Sequence, residues 1–192
     1  MRLTDLLSPE RVGIQRANGD PFDKEKAIGL LAKLIGARDG VSVADIERAL
    51  LDRELLQSTG IGEGVAIPHG ALPQLTEQVA ALLIVPDGVE FQAIDDASVT
   101  ILFGVITPKR ATGEHLKTLA RVSKLLRNKD FRHRLVVAPD PTSIFELIRT
   151  EEGVAIQSTP RELGVTERSS VKEIASEGRA AKAVESEKKG AP

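Results

Sequence analysis

Two near-continuous apolar runs, Val79 to Val85 and Val99 to Ile106, constrain this chain more than any other feature. A strand with one solvated face alternates apolar and polar residues, whereas a run without the polar positions has to be covered on both faces. Helical patterns lie on either side of these runs, so together they predict a layered α/β domain with helices on both faces of a sheet. Pro86-Asp87-Gly88 and Asp95-Asp96 are expected to mark the turns between the two strands.

The helical patterns carry their own punctuation. Asp23 is placed to cap a helix running to about Ile35, with Ile28, Leu31 and Leu34 on one side and Gly36 at the exit. Ser42 and Asp45 form a capping-box-like start for a second helix, whose Val43, Ile46 and Leu50 give an inward stripe. After Pro108, Thr112 is the expected cap of a third helix with Leu116, Leu119, Ala120, Ser123 and Leu126 on one face. A short fourth helix follows Asn128 and carries Phe131 and Leu135. Asp140-Pro141 opens a fifth, with Ile144, Leu147 and Ile148 facing inward. Near the N-terminus, Leu3 to Ser8 reads as a helical turn ended by Pro9, and Val12 to Gln15 as a short strand.

Composition narrows the function. With 192 residues, 41% apolar and 28% charged, the chain can build one domain and keep a spare terminal segment. It has five Phe, no Trp and no Tyr, so the core is aliphatic and stacking platforms for bases are lacking. A net charge of -2 with both signs interspersed does not make the basic stripe of a nucleic-acid binder. The absence of cysteine excludes disulfides, thiolate catalysis and cysteine metal sites. The N-terminus has acids and a proline where a signal peptide needs an apolar run, and no stretch reaches the roughly 20 apolar residues of a membrane span. The expectation is a cytoplasmic protein without membrane insertion. Residues 1–153 are expected to form the domain. Residues 154–192 are expected to form a charged, disordered or weakly helical tail, since from Gln157 onward there are seven Lys or Arg, six Glu and no aromatic residue.

The chemistry concentrates around one histidine. Ser58 to Gly70 has glycines at 60, 62 and 64, then Val-Ala-Ile-Pro-His69-Gly70, and reads as loop, strand, loop. Pro68 biases Ile67 toward an extended conformation, and Gly70 lets the chain turn, so His69 sits at a strand end on a constrained loop. A neutral imidazole is a good nucleophile near pH 7 and can accept a phosphoryl group. An ordinary turn bearing a surface histidine fits the same tripeptide. His115 falls in the first turn of the third helix, where the dipole and free N–H groups favour an anion and disfavour imidazolium. Read alone, it fits a solvated surface residue equally. Arg53, near the end of the second helix, can offer a bidentate fork to phosphate oxygens, or pair with the acidic residues around it. Ser58 and Thr59 add hydroxyls, and the glycines free backbone amides. The segment is not a P-loop, because the Lys-Ser/Thr ending is missing.

Residues 1 to about 150 resemble the fructose/mannitol-type enzyme IIA domains of the bacterial phosphotransferase system, particularly the stand-alone nitrogen-related branch. The resemblance rests on Arg53-Glu54 followed by Ser58-Thr-Gly-Ile-Gly-Glu-Gly-Val-Ala-Ile-Pro-His69-Gly70. It also rests on Gly88-Val-Glu-Phe91 and on Gly113-Glu114-His115-Leu116. Asp95-Asp96 stands where Asp-Gly is frequent in that family. The resemblance implies a mixed β-sheet with helices on both faces. It implies that His69 is the phosphorylated residue, on its Nε2 (tele) nitrogen, with His115 and Arg53 beside it and with Ser58, Thr59 and Gly70 supporting the phosphate. A histidine phosphocarrier protein, charged by enzyme I from phosphoenolpyruvate, would be the donor. No metal or other cofactor is implied for the transfer step. Regulated proteins, or a separate enzyme IIB in a sugar-uptake variant, would be the downstream partners. A binding module on the same fold that is no longer phosphorylated is the remaining alternative.

Overall fold

The computed structural model describes residues 2–157, apart from 18, 20 and 37. The two apolar runs form strands at the centre of the sheet. β5 (Val79–Val89) and β6 (Val99–Pro108) pair antiparallel, with Val79 opposite Ile106 and Ile84 opposite Ile101. β1 (Val12–Ile14) adds in parallel to β5. On the far side of β6, β3 (Val65–Ala66) and β4 (His69–Leu72) both pair with it in parallel. β2 (Gly60–Gly62) closes the sheet antiparallel to β3, giving the order β1-β5-β6-β3-β2. The sheet is mixed, as the resemblance implied.

Alternation along the first part of β5, Val79 to Val85, explains why that run has no polar positions. Leu83 and Val85 pack into one core with Ile28 and Leu31 of α1 (Lys24–Ile35) and Ile46 and Leu50 of α2 (Val43–Leu56). Leu82 and Ile84 point the other way. They meet Val122 of α3 (Thr112–Leu125), Phe131 and Leu135 of α4 (Lys129–Val137), and Ile144 and Ile148 of α5 (Pro141–Gln157). Both faces are thus covered, and each such side chain contributes on the order of 1.5–3 kcal/mol of burial.

The capping signals act as read for α1 and α2. The Asp23 side chain accepts from the Lys26 N–H at 2.9 Å, and Ser42 with Asp45 forms a reciprocal capping box. Asp140 accepts from the Ser143 N–H at 2.9 Å and opens α5. Pro9 does more than end a turn: it begins a second short 3-10 turn, Pro9–Arg11, after the first at Leu3–Asp5.

Four expectations need correction. Pro86-Asp87-Gly88 is not a turn; it is a register irregularity inside β5, where Gly88 takes φ 77° and a Cβ would lie 2.9 Å from that of Ser98. The reversal falls later, with Gln92 and Asp96 at φ 54° and 56°, so Asp96 adopts the left-handed conformation that glycine favours. Thr112 is the first residue of α3, and its N-cap is Ala111 (φ -97°, ψ 39°), which has no hydroxyl to cap with. The inward face of α3 runs through Thr118, Val122 and Leu126, while Leu116 is 62% exposed and Ala120 is also exposed.

The fourth correction concerns the segment before His69. It is not loop, strand, loop but three short strands, β2 to β4, separated by tight connections. Gly62, Glu63 and Gly64 all have positive φ (90°, 54° and 76°), which folds β2 back on β3. The Glu63 N–H donates to Asp95 at 2.7 Å, and its carboxylate pairs with Arg132 of α4 at 2.6 Å, so this turn is held at both ends. The N-terminal turn is tied to α5, with Glu152 accepting from the N–H groups of Leu3 and Thr4 at 2.6 and 3.1 Å. Of the expected tail, residues 154–157 are the end of α5 (Pro141–Gln157), and from residue 158 on it lies outside the described residues.

Candidate functional site

His69 is the first residue of β4, opposite Val105 of β6. Gly70, expected to allow a turn, lies within the strand and has no left-handed φ. Its lack of a side chain serves another purpose: a Cβ there would stand 3.1 Å from the carbonyl oxygen of Ala49 in α2. The strand therefore lies directly against the helix that carries Arg53. Arg53 occupies the last turn of α2, where its Nη1 donates to the Gln57 carbonyl at 2.9 Å and its Nε donates to Nε2 of His69 at 3.1 Å.

That second bond fixes the protonation of the His69 ring. A guanidinium can only donate, so Nε2 of His69 has to be the acceptor and carry the lone pair. The ring proton is then on Nδ1, where it donates to the Ile67 carbonyl at 2.8 Å. Pro68, between the two, restricts Ile67 to the extended backbone that aims this carbonyl back at the ring. One nitrogen is anchored to the main chain, and the other presents its electron pair beside a cation.

His115 comes from the first turn of α3. Its ring centroid is 5.2 Å from that of His69, with the planes tilted by 50°. Its Nδ1 is buried and lacks a hydrogen-bond partner, so protonating it would place a charged N–H where nothing accepts. The uncapped helix start opposes a positive charge there as well.

Both rings titrate below the ordinary value of 6.5. For His69 burial is the main cause; the hydrogen bond to Ile67 opposes it, Arg53 adds to it and the Glu54 charge opposes it. For His115 burial again leads, followed by His69 and Arg53. The neutral ring of His69 therefore persists below pH 6.5. The sign for stability follows: the unfolded chain binds protons that the folded one refuses, so this contribution is complete above 6.5 and is lost as pH falls through the folded values. We expect the NMR titration of the His69 ring to have its midpoint below 6.5, and a midpoint at or above that value would contradict the burial argument.

The two hydroxyls named from the sequence are engaged within the fold. Ser58 donates to the Phe91 carbonyl at 3.0 Å, and Thr59 is buried, donating to the Glu54 carboxylate at 2.5 Å. Glu54 is the residue whose importance the stripe analysis missed. The buried positions of α2 are Ile46, Leu50 and Glu54, four residues apart, and a carboxylate continuing an apolar stripe is a legible sign of buried partners. Its other oxygen pairs with Lys24 at 2.8 Å. His133 is exposed on α4, away from any cluster, and no group of three or more potential metal ligands occurs among the described residues. Nor, among them, is any helix long and apolar enough to cross a membrane.

Residues 7–151 match the family described as "Phosphoenolpyruvate-dependent sugar phosphotransferase system, EIIA 2". Over 149 residues the chain is 32% identical to a nitrogen regulatory protein of Bradyrhizobium diazoefficiens, covering 77% of this chain and 95% of that one. It is 36% identical over 154 residues to a nitrogen regulatory protein of Klebsiella oxytoca, with 80% and 93% covered. Among solved structures it is similar to nitrogen regulatory protein IIA-Ntr from Neisseria meningitidis, with a TM-score of 0.70, 27% identity, and 76% and 98% of the two chains covered. It shares its fold with IIA mannitol from Escherichia coli, at a TM-score of 0.61 and 24% identity over 74% and 98% of the chains. The matched segment holds the whole sheet and the Arg53, His69 and His115 cluster, and the chain belongs to the EIIA 2 family of the phosphoenolpyruvate-dependent sugar phosphotransferase system, with nitrogen regulatory proteins among its relatives.

Proposed function

We propose that this chain is a phosphohistidine carrier that accepts a phosphoryl group on Nε2 of His69 from a small histidine phosphocarrier protein, and that its phosphorylation state regulates partner proteins. The observation that carries the reading is the ring of His69: proton held on Nδ1 by Ile67, lone pair on Nε2 facing Arg53. The Nε2 electron pair forms the new N–P bond as the N–P bond to the donor imidazole breaks. The electron pair of the broken bond stays on the donor nitrogen, and the donor ring, protonated on its other nitrogen, leaves as neutral imidazole while the positive charge passes to the ring of His69. The Nδ1 proton of His69 stays in its hydrogen bond to the main chain, so no proton need move during the step. Arg53 releases Nε2 and turns its fork onto the phosphoryl oxygens. His115, neutral with its proton on Nε2, donates to another oxygen. Catalysis is then alignment and charge neutralisation, which suits a transition state with charge spread over three equatorial oxygens.

The setting suits a protein donor. Leu56, three residues beyond Arg53 on α2, and Leu116, beside His115, are 82% and 62% exposed, so apolar contacts are available next to the reacting atoms. A dianionic group appearing on a neutral ring then changes the charge of that surface, which a partner can read. The nitrogen regulatory relatives favour regulation over sugar uptake, and the paired Arg53, His69 and His115 favour a carrier over a binding module that has lost its chemistry.

The direct test is incubation with phosphoenolpyruvate, enzyme I and the small carrier, followed by 31P and 15N NMR. We expect an acid-labile, base-stable phosphate on Nε2 of His69. Phosphate on Nδ1, or an acid-stable ester on a hydroxyl, would overturn the assignment. Efficient onward transfer to a separate enzyme IIB would move the reading to sugar uptake.

A further inference from the structure

Glu54 is a carboxylate only 7% exposed, at a position where the stripe of α2 calls for an apolar side chain. Both of its oxygens are engaged. Oε1 takes Nζ of Lys24 at 2.8 Å; Oε2 takes the N–H of Thr59 at 2.9 Å and its hydroxyl at 2.5 Å. Lys24 is itself held, donating to Oε1 of Gln92 at 3.0 Å and lying 4.7 Å from the centroid of the Phe91 ring. Ser58 donates to the main chain of that same Phe91. One buried carboxylate thus ties α1, the end of α2 and the start of the β2 segment together, one residue away from Arg53.

Holding these segments does not by itself call for charge, since a glutamine oxygen also accepts from Thr59. What a charge adds is balance. Lys24 brings a second cation up to Glu54, one residue from Arg53, and Glu54 cancels it. Among the described residues no carboxylate pairs with Arg53, so the guanidinium stands as the net charge beside His69.

Resting on the carrier reading above, we propose that Glu54 is a positioning residue that, by neutralising Lys24 and tethering Thr59, sets how tightly the phosphoryl group is held on His69. A carrier has to release what it accepts. Two uncompensated cations near a dianion would make the phosphorylated state too stable to pass its group on, and one keeps it transferable. The direction of the Glu54 charge on the His69 ring agrees, since that carboxylate favours the protonated ring and offsets Arg53.

The test uses the full chain with Glu54→Gln, Lys24→Met and the double variant. Two quantities are read: the equilibrium partition of phosphate between the small carrier and His69, and the NMR titration of His69 in the unphosphorylated protein. Glu54→Gln keeps an acceptor for Thr59 and removes the charge, so the partition should move toward phosphorylated His69 by about tenfold. Onward transfer should slow, and the ring should titrate at lower pH. Lys24→Met should shift both readouts the opposite way. The double variant should return to within about threefold of wild type, because the charges cancel again. Should Glu54→Gln fail to fold, the opposite shift in Lys24→Met still decides. An unchanged partition and titration in both single variants, or a double variant no closer to wild type than Glu54→Gln, would overturn the proposal. If wild type takes no phosphate on His69, the carrier reading fails, while the titrations still report on Glu54.

Discussion

His69→Ala is expected to take up no phosphoryl group at all from the charged carrier, a loss below detection and not a slowing. The ring is the only proposed acceptor, and nothing beside it can replace the lone pair on Nε2. Arg53 is a cation without nucleophilicity at working pH. The Nδ1 of His115, the nitrogen that would have to attack, is buried. The Thr59 hydroxyl is hydrogen-bonded to Glu54 within the fold. The substitution removes a local bond to Ile67 and a contact with Arg53, which costs on the order of 1 kcal/mol and lowers Tm by about 2–4 °C. Retained labelling in a folded His69→Ala protein would remove His69 from the mechanism.

Arg53→Ala is the second large effect, expected to lower the rate of phosphoryl acceptance by about 10²–10³-fold, as for loss of one preorganised donor to a developing anion. Two jobs disappear together. The Nε bond that fixes the tautomer of His69 is gone, and so is the positive fork proposed to receive the phosphoryl oxygens. The same substitution should raise the midpoint of the His69 titration, because Arg53 is among the groups that lower it. Arg53→Lys should recover part of the rate, since it restores charge without the planar fork. Rapid-quench kinetics with the charged carrier, beside the NMR titration, separate these contributions. An Arg53→Ala protein within about threefold of wild type would show that the guanidinium is not used in the step.

The layered architecture was legible because its signals were redundant. The near-continuous apolar runs of β5 and β6 required cover on both faces, and the caps at Asp23 and Ser42 bounded the helices that supply it on one side. Turn residues misled where tertiary pairing overrode them. Pro86-Asp87-Gly88 has the composition of a turn, yet the ladder resumes at Val89 opposite Val99 and absorbs it as a bulge. Leu116 looked like a core residue from spacing alone. It is exposed because the face of α3 against the sheet is set by Thr118, Val122 and Leu126, with the buried Thr118 hydroxyl donating to Gln78 at 2.7 Å. A buried threonine with a specific partner leaves no mark in hydrophobic periodicity.

For the site, periodicity named no residue with force. Each of Arg53, His69 and His115 had an ordinary surface explanation, and it was their joint resemblance to one family that set them together. Their contact, at 3.1 Å between Arg53 and His69 and 5.2 Å between the two imidazole rings, depends on strand pairings more than 30 residues apart in sequence, such as His69 with Val105. The tautomer of His69 was beyond any sequence argument, since it follows from where a carbonyl and a guanidinium end up relative to one ring.

Gly70 carries a consequence for how such a chain can change over time. Main chain approaches main chain between β4 and α2, so the spacing of the strand that carries His69 from the helix that carries Arg53 is set by backbone contact. Neighbouring core residues can be exchanged for others of similar bulk without retuning that distance, which leaves the surrounding sequence free to diverge while Arg53 and His69 keep their setting. Any β-carbon at that one position would act as a wedge between the two elements.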